Sequence, residues 1–179
     1  MIYEFFAEGF EELEAIAPLD LLRRAGVPVQ SVAVGESKTI TGSHGIAITC
    51  DLPASELDMS SLTGVILPGG PGHKLLAASP VVKEALAIAS EQNGLLAAIC
   101  AAPSVLGKYG YLEGKRACCF PGFEESLSGA SISYDPVVRD GNVITSRGAG
   151  TAAGFALELV AYLISPEKAQ EISAQIQKI

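Results

Sequence analysis

Residues 95–106 read LLAAICAAPSVL, an apolar run broken by one thiol and one proline. Cys100 falls where a buried strand would have to turn into a helix. A turn that abrupt strains its residue and lifts the side chain above the sheet. Pro103 suits the first turn of the following helix, where its missing N–H costs nothing. Ala101 and Ala102 are small enough for close approach. A thiol at a helix amino end faces free N–H groups and the positive end of the macrodipole, which favour thiolate and lower its pKa. The chemistry on offer is nucleophilic attack by sulfur. The competing reading is an inert core residue, since free cysteines commonly pack as small hydrophobes.

A proton carrier is available in GFEELEAIAPLD, where three glutamates share one helical turn. Glu11 and Glu12 suit the solvated amino end of a helix. Glu14 lies four residues after Phe10, four before Pro18 and seven before Leu21, on a largely apolar face. Partial desolvation there raises a carboxyl pKa and makes the protonated form accessible near neutral pH. The plainer alternative is an acidic cap with one awkwardly placed glutamate. Pro18 cannot donate to the Glu14 carbonyl, so the helix is expected to bend there.

In LPGGPGHK, Gly69, Gly70 and Gly72 would let backbone N–H groups meet a ligand closely. The loop is either an anion or oxyanion pocket or an ordinary turn; Walker A spacing is absent. SRGAGTAAG stands one residue off a dinucleotide fingerprint and lacks the second strand and acidic residue that should follow, which argues against NAD or FAD. Neither His44 nor His73 adjoins Cys100 in sequence. In RACCF, Cys118 and Cys119 point to opposite faces of a strand-like stretch, so at least one belongs to the core.

The elements that must position these residues alternate. Strands are expected over 1–6, 29–34, 64–67, 95–99 and 142–146. Helices are expected over 10–26, 79–94 (capped by Ser79), 101–110, 150–164 and 165–179. LLAAI shows no polar alternation, so both its faces are covered. Residues 114–139 are weakly readable. This order implies an α/β sandwich with a mainly parallel sheet, whose ligands bind outside the carboxyl ends of the strands.

The chain has 179 residues, fits one domain spanning 1–179, and can bury roughly 70% of its unfolded surface. Its net charge of -8 makes nucleic acid and anionic membranes poor partners. No apolar run reaches the roughly 18 to 20 residues of a membrane span. MIYEFF carries Glu4 and no basic region, so no signal peptide is expected and a cytoplasmic location is. The four cysteines (Cys50, Cys100, Cys118, Cys119) have neither C-x-x-C spacing nor nearby histidines, so no metal site is expected.

Taken together, GFEELEAIAPLDLLRRAG, VILPGGPG, LLAAICAAPSVL and DGNVITSRGAGTAAGFALELV, in that order, resemble the ThiJ/PfpI superfamily in its parkinsonism-associated (DJ-one) branch. The resemblance covers most of the chain and is weakest over 112–136. It implies a flavodoxin-like three-layer sandwich with helices on both faces, and a homodimer. It also implies Cys100 as nucleophile and Glu14 as the carboxyl bonded to it. Gly70 and Ala101 would supply N–H groups, Gly69, Glu11 and Ala149 would line the rim, and Arg24 would reach the partner subunit's pocket. Two departures stand out: Ala101 occupies the position where the protease-like branch has a histidine, and Phe120 the position where many DJ-one relatives have one. A Cys–His protease therefore lacks its base, and any histidine must be His44 or His73. The function implied is a cofactor-free glyoxalase or deglycase acting on 2-oxoaldehydes such as methylglyoxal or their early adducts. The alternative is an oxidative-stress sensor or chaperone-like protective protein using the same cysteine.

Overall fold

The structure is a computed structural model that describes residues 1–178. In chain order, β1 (Ile2–Phe6) leads to α1 (Glu12–Arg24) and β2 (Val29–Ala33). A hairpin of β3 (Thr39–Thr41) and β4 (Ala47–Thr49) follows, then β5 (Leu52–Pro53), β6 (Gly64–Leu67), α2 (His73–Ala78) and α3 (Pro80–Glu91). Next come β7 (Leu95–Ile99), α4 (Pro103–Lys108), β8 (Arg116–Ala117) and β9 (Ser131–Ile132). The chain closes with β10 (Val137–Asp140), β11 (Val143–Ser146), α5 (Ala152–Leu163) and α6 (Pro166–Gln175).

Seven strands form one sheet in the order β10-β11-β7-β6-β1-β2-β5. All neighbours pair in parallel except β10 with β11. This is the expected flavodoxin-like arrangement with one antiparallel edge. The chain leaves β1 toward β2 on one side and returns at β6 on the other. β1 and β6 therefore flank the switch point, where a crevice opens at their carboxyl ends.

The central strands are buried on both faces, which explains their lack of alternation. Leu95, Ala97 and Ile99 of β7 pack into a core with Phe6, Leu22, Phe155 and Ile172, beneath α1, α5 and α6. Leu96 and Ala98 face the opposite core with Phe5, Leu86, Val105 and Leu106, beneath α2, α3 and α4. Ser79 caps α3 by accepting from the Val82 N–H, and Ser165 caps α6 by accepting from the Lys168 N–H. Pro18 lies inside α1, which continues through it as helix. RACCF is strand only at Arg116 and Ala117, and both Cys118 and Cys119 are buried.

One core position runs against its surroundings. Glu4 is 0% exposed in central strand β1, and neither carboxylate oxygen has a hydrogen-bond partner. Burial pushes its pKa well up, opposed weakly by Arg23, so it is held protonated. A raised folded-state pKa gives stability that is complete below the ordinary carboxyl value and falls as pH rises through the folded value. Glu4→Leu is expected to stabilise the protein by about 1–3 kcal/mol in urea unfolding at pH 7. It should also flatten the loss of stability toward alkaline pH, and a destabilised variant would contradict this account.

Candidate active site

Three turns converge at the crevice: those after β1, β6 and β7, with a fourth after β11. Cys100 ends β7 at φ 65°, the strained left-handed region that a non-glycine residue seldom occupies. Backbone bonds on both sides hold it there. Its N–H donates to the Ser146 carbonyl (2.9 Å), and its carbonyl accepts from the Phe120 N–H (2.8 Å). The sulfur is half-buried, whereas Cys50, Cys118 and Cys119 are buried. The N–H groups of Gly70 and Ala101 act on it and favour its thiolate.

Glu14 reaches the sulfur from the first turn of α1. It is 1% exposed, and its Oε2 accepts the Gly69 N–H (3.0 Å). Cys100 and the Ala149 N–H also act on its carboxyl and favour the charged form. Glu11 caps α1 by accepting from the Glu14 N–H (2.8 Å), while its own N–H donates to the Gly69 carbonyl (3.1 Å). Two glycines make this approach possible. A Cβ on Gly69 would collide with Glu14 Oε2 and lie 2.6 Å from Cys100 Cβ. A Cβ on Gly70, at φ 78°, would lie 2.6 Å from both the Glu11 nitrogen and the Gly9 carbonyl oxygen.

The electrostatics correct one expectation. The thiol pKa is not lowered. Burial, followed by the Glu14 charge and the hydrogen bond to it, pushes Cys100 up to about 12 and outweighs the Gly70 and Ala101 N–H groups. Helix α4 is only six residues long and adds little dipole. Burial also raises Glu14 to about 7, against the hydrogen bond from Cys100. The two groups are coupled: the Glu14 charge raises the thiol, and the hydrogen bond from the thiol favours the Glu14 carboxylate. With its own pKa raised, the sulfur has in Glu14 an adjacent group able to take its proton near neutrality.

Two cavities flank Phe120, which is 48% exposed. One, of about 320 Å³, is lined by Gly70, His73, Lys74, Cys100, Ala101 and Phe123 among others. The other, of about 360 Å³, is lined by Pro136, Arg147, Gly148, Ala149, Gly150 and others. Thus Gly69, Gly70, Ala101, Glu11, Glu14, Ala149 and Cys100 lie together at the crevice. Arg24 does not join them within the chain. It is exposed in the last turn of α1 and pairs with Asp20 (2.9 Å).

His44 is not at the site, and Glu12 is not a solvated residue. The β3–β4 hairpin, unread in the sequence, brings His44 onto Glu12. The backbone N–H of His44 donates to Oε1 (2.7 Å), and its Nδ1 lies 2.8 Å from Oε2. Burial would raise Glu12, but these hydrogen bonds win and hold it at about 2. Glu11, Glu12 and His44 bring one ligand atom each within 4.8 Å of one another. Glu12 and His44 are already engaged in closing the hairpin onto α1, and the Glu11 carboxylate is engaged in capping that helix. His73 does reach the Cys100 cavity. Its position three residues after Gly70 was the available signal.

The DJ-1/PfpI family model matches residues 1–162, and the chain belongs to that family. Protein dj-1beta of Drosophila melanogaster is 37% identical over 170 residues, covering 93% of this chain and 91% of that protein. Glutathione-independent glyoxalase DJR-1.2 of Caenorhabditis elegans is 35% identical over 167 residues, covering 92% and 89%. The solved structure of Toxoplasma gondii DJ-1, oxidized, superposes with a TM-score of 0.94 at 31% identity, covering 98% and 97%. Among the described residues, no helix is long and apolar enough to cross a membrane.

The close approach at Gly69 has a measurable consequence. Gly69→Ala is expected to separate Glu14 from Cys100, slow alkylation of Cys100 at pH 7 by about tenfold or more, and cost about 1–3 kcal/mol of stability. Peptide mass mapping after timed iodoacetamide treatment, with urea unfolding in parallel, checks both. An unchanged alkylation rate would show that the pair does not need this approach.

Proposed function

We propose that the protein is a cofactor-free, cysteine-dependent enzyme of the glyoxalase or deglycase type, acting on 2-oxoaldehydes such as methylglyoxal or on their early adducts with amines and thiols. The observation that carries this reading is the Glu14–Cys100 pair. A carboxyl with a pKa near 7 lies against a half-buried sulfur that faces a cavity. The glyoxalase name of the nematode relative supports it.

In this reading Cys100 Sγ attacks the aldehyde carbon while the Glu14 carboxylate takes the thiol proton. The N–H groups of Gly70 and Ala101 hold the developing oxyanion, which recovers the proton from Glu14 to give a hemithioacetal. A proton then passes from the aldehyde carbon to the ketone carbon through an enediol, leaving a 2-hydroxyacyl thioester. Water cleaves the thioester to lactate and free thiol. The aldehyde carbon is oxidised and the ketone carbon reduced within one molecule, so no external electron carrier takes part. Ala149 and Glu11 keep Glu14 in place, and Gly69 makes room for it.

The chain as a homodimer fits the same reading. Leu13 (61% exposed) and Ile16 (39%) leave an apolar outer face on α1, with Arg24 at its end. A second copy seated there would bring Arg24 toward the partner pocket. The cytoplasm suits four unpaired cysteines. An oxidation sensor is the second reading, favoured by the one cysteine with a half-exposed sulfur and by the oxidized form of the Toxoplasma relative.

Lactate formed from methylglyoxal separates the two. The wild type should produce it, Cys100→Ser should fall to the uncatalysed rate, and Glu14→Gln should lose about 10²-fold or more. Equal rates for wild type and Cys100→Ser, or none from either, would overturn the enzyme reading. The absence of turnover with intact oxidation of Cys100 would leave the sensor.

A further inference from the structure

Two proton carriers stand near Cys100, one beside the thiol and one in the wall of the cavity it lines, and the reaction above uses only one of them. Glu14 lies on the Gly69 and Gly148 side, where a Cβ on Gly148 would come within 3.8 Å of its Oε1. His73 lies on the Gly70 side, in the wall of the cavity that Cys100 and Ala101 also line. Two contacts fix its ring. Nδ1 lies 2.8 Å from the Gly70 carbonyl oxygen, a pure acceptor, so Nδ1 carries the hydrogen. The ring also stands edge-on to Phe123, with centroids 5.5 Å apart and planes at 85°. A neutral imidazole that donates through Nδ1 keeps a lone pair on Nε2. Among the described residues, His73 Nε2 makes no hydrogen bond within the protein. The other titratable group in this wall, Lys74, is exposed and, as an ammonium, has no lone pair to offer.

We propose that His73 is a second catalytic residue, the general base that activates water against the Cys100 thioester; this rests on the glyoxalase reading above. The water oxygen bonds to the acyl carbon while its proton passes to His73 Nε2. The tetrahedral adduct collapses as the C–S bond breaks, and the imidazolium returns that proton to the departing sulfur. The hydroxy acid leaves, and thiol and neutral imidazole are restored. The Gly70 carbonyl stabilises the imidazolium through its bond to Nδ1–H. The same Gly70 residue offers its N–H to the oxyanion, so one turn orients both groups. Glu14 thus serves formation of the covalent adduct, and His73 serves its breakdown.

The test separates these two halves. His73→Asn places an amide nitrogen where Nδ1 stands and keeps a donor for the Gly70 carbonyl, but it cannot act as a base. It is expected to lower kcat for lactate formation by about 10²-fold or more, while Cys100 alkylates at the wild-type rate. The variant should accumulate an adduct with the mass of one methylglyoxal on Cys100, and hydroxylamine should release it as expected for a thioester. His73→Ala should recover turnover with added imidazole. Wild-type turnover in His73→Asn with no accumulating ester overturns this assignment and leaves the glyoxalase reading standing. So does a slowed variant that holds no thioester and gains nothing from imidazole, because a structural role alone would give that result. A wild type that forms no lactate overturns the glyoxalase reading and this assignment with it.

Discussion

The site depends on a buried carboxyl and a half-buried thiol being held so close that their titrations are coupled. Separately, burial would leave each protonated and idle. Together, a Glu14 carboxyl raised toward neutrality stands ready to accept the thiol proton. The sulfur can then become a nucleophile at the moment of attack without being a free anion beforehand. Backbone N–H groups of Gly69 and Ala149 on the carboxyl, and of Gly70 and Ala101 on the sulfur, supply the stabilisation that water would otherwise give.

Much of the fold serves that approach. The switch point between β1 and β6 opens the crevice, and the strained backbone of Cys100 lifts its sulfur into it. Ser146 and Phe120 hold that strain through main-chain bonds from two neighbouring segments. Glycines at 69 and 70 leave a side-chain-free surface against which α1 can bring Glu14 inward. Glu11 fastens the start of the same helix to the β6 turn, so cap and catalytic pair are positioned by one contact.

The sequence was most legible where local rules and packing agree. LLAAI had to be a strand covered on both faces, and Ser79-Pro80 and Ser165-Pro166 had to open helices. Glu14 was readable because helical spacing alone placed it among apolar residues. What stayed hidden came from contacts distant in sequence. The β3–β4 hairpin consists of three-residue strands, too short for a period to show, and only folding brings His44 onto Glu12. The thiol pKa was misjudged because the helix end is a local feature, whereas burial and the Glu14 charge appear only in three dimensions. His73 was visible as a residue, but its cavity, and the Phe123 ring that orients it, were not.

The central claim is that Glu14 controls ionisation of Cys100, and the pH dependence of Cys100 alkylation in wild type and Glu14→Gln tests it most directly. The account predicts a wild-type inflection near 7. With glutamine unable to take the proton, the inflection should move at least about one unit alkaline, slowing alkylation at pH 7 about tenfold. A Glu14→Gln protein that still alkylates with its inflection at or below 7 would contradict it, because backbone dipoles alone would then be ionising the sulfur.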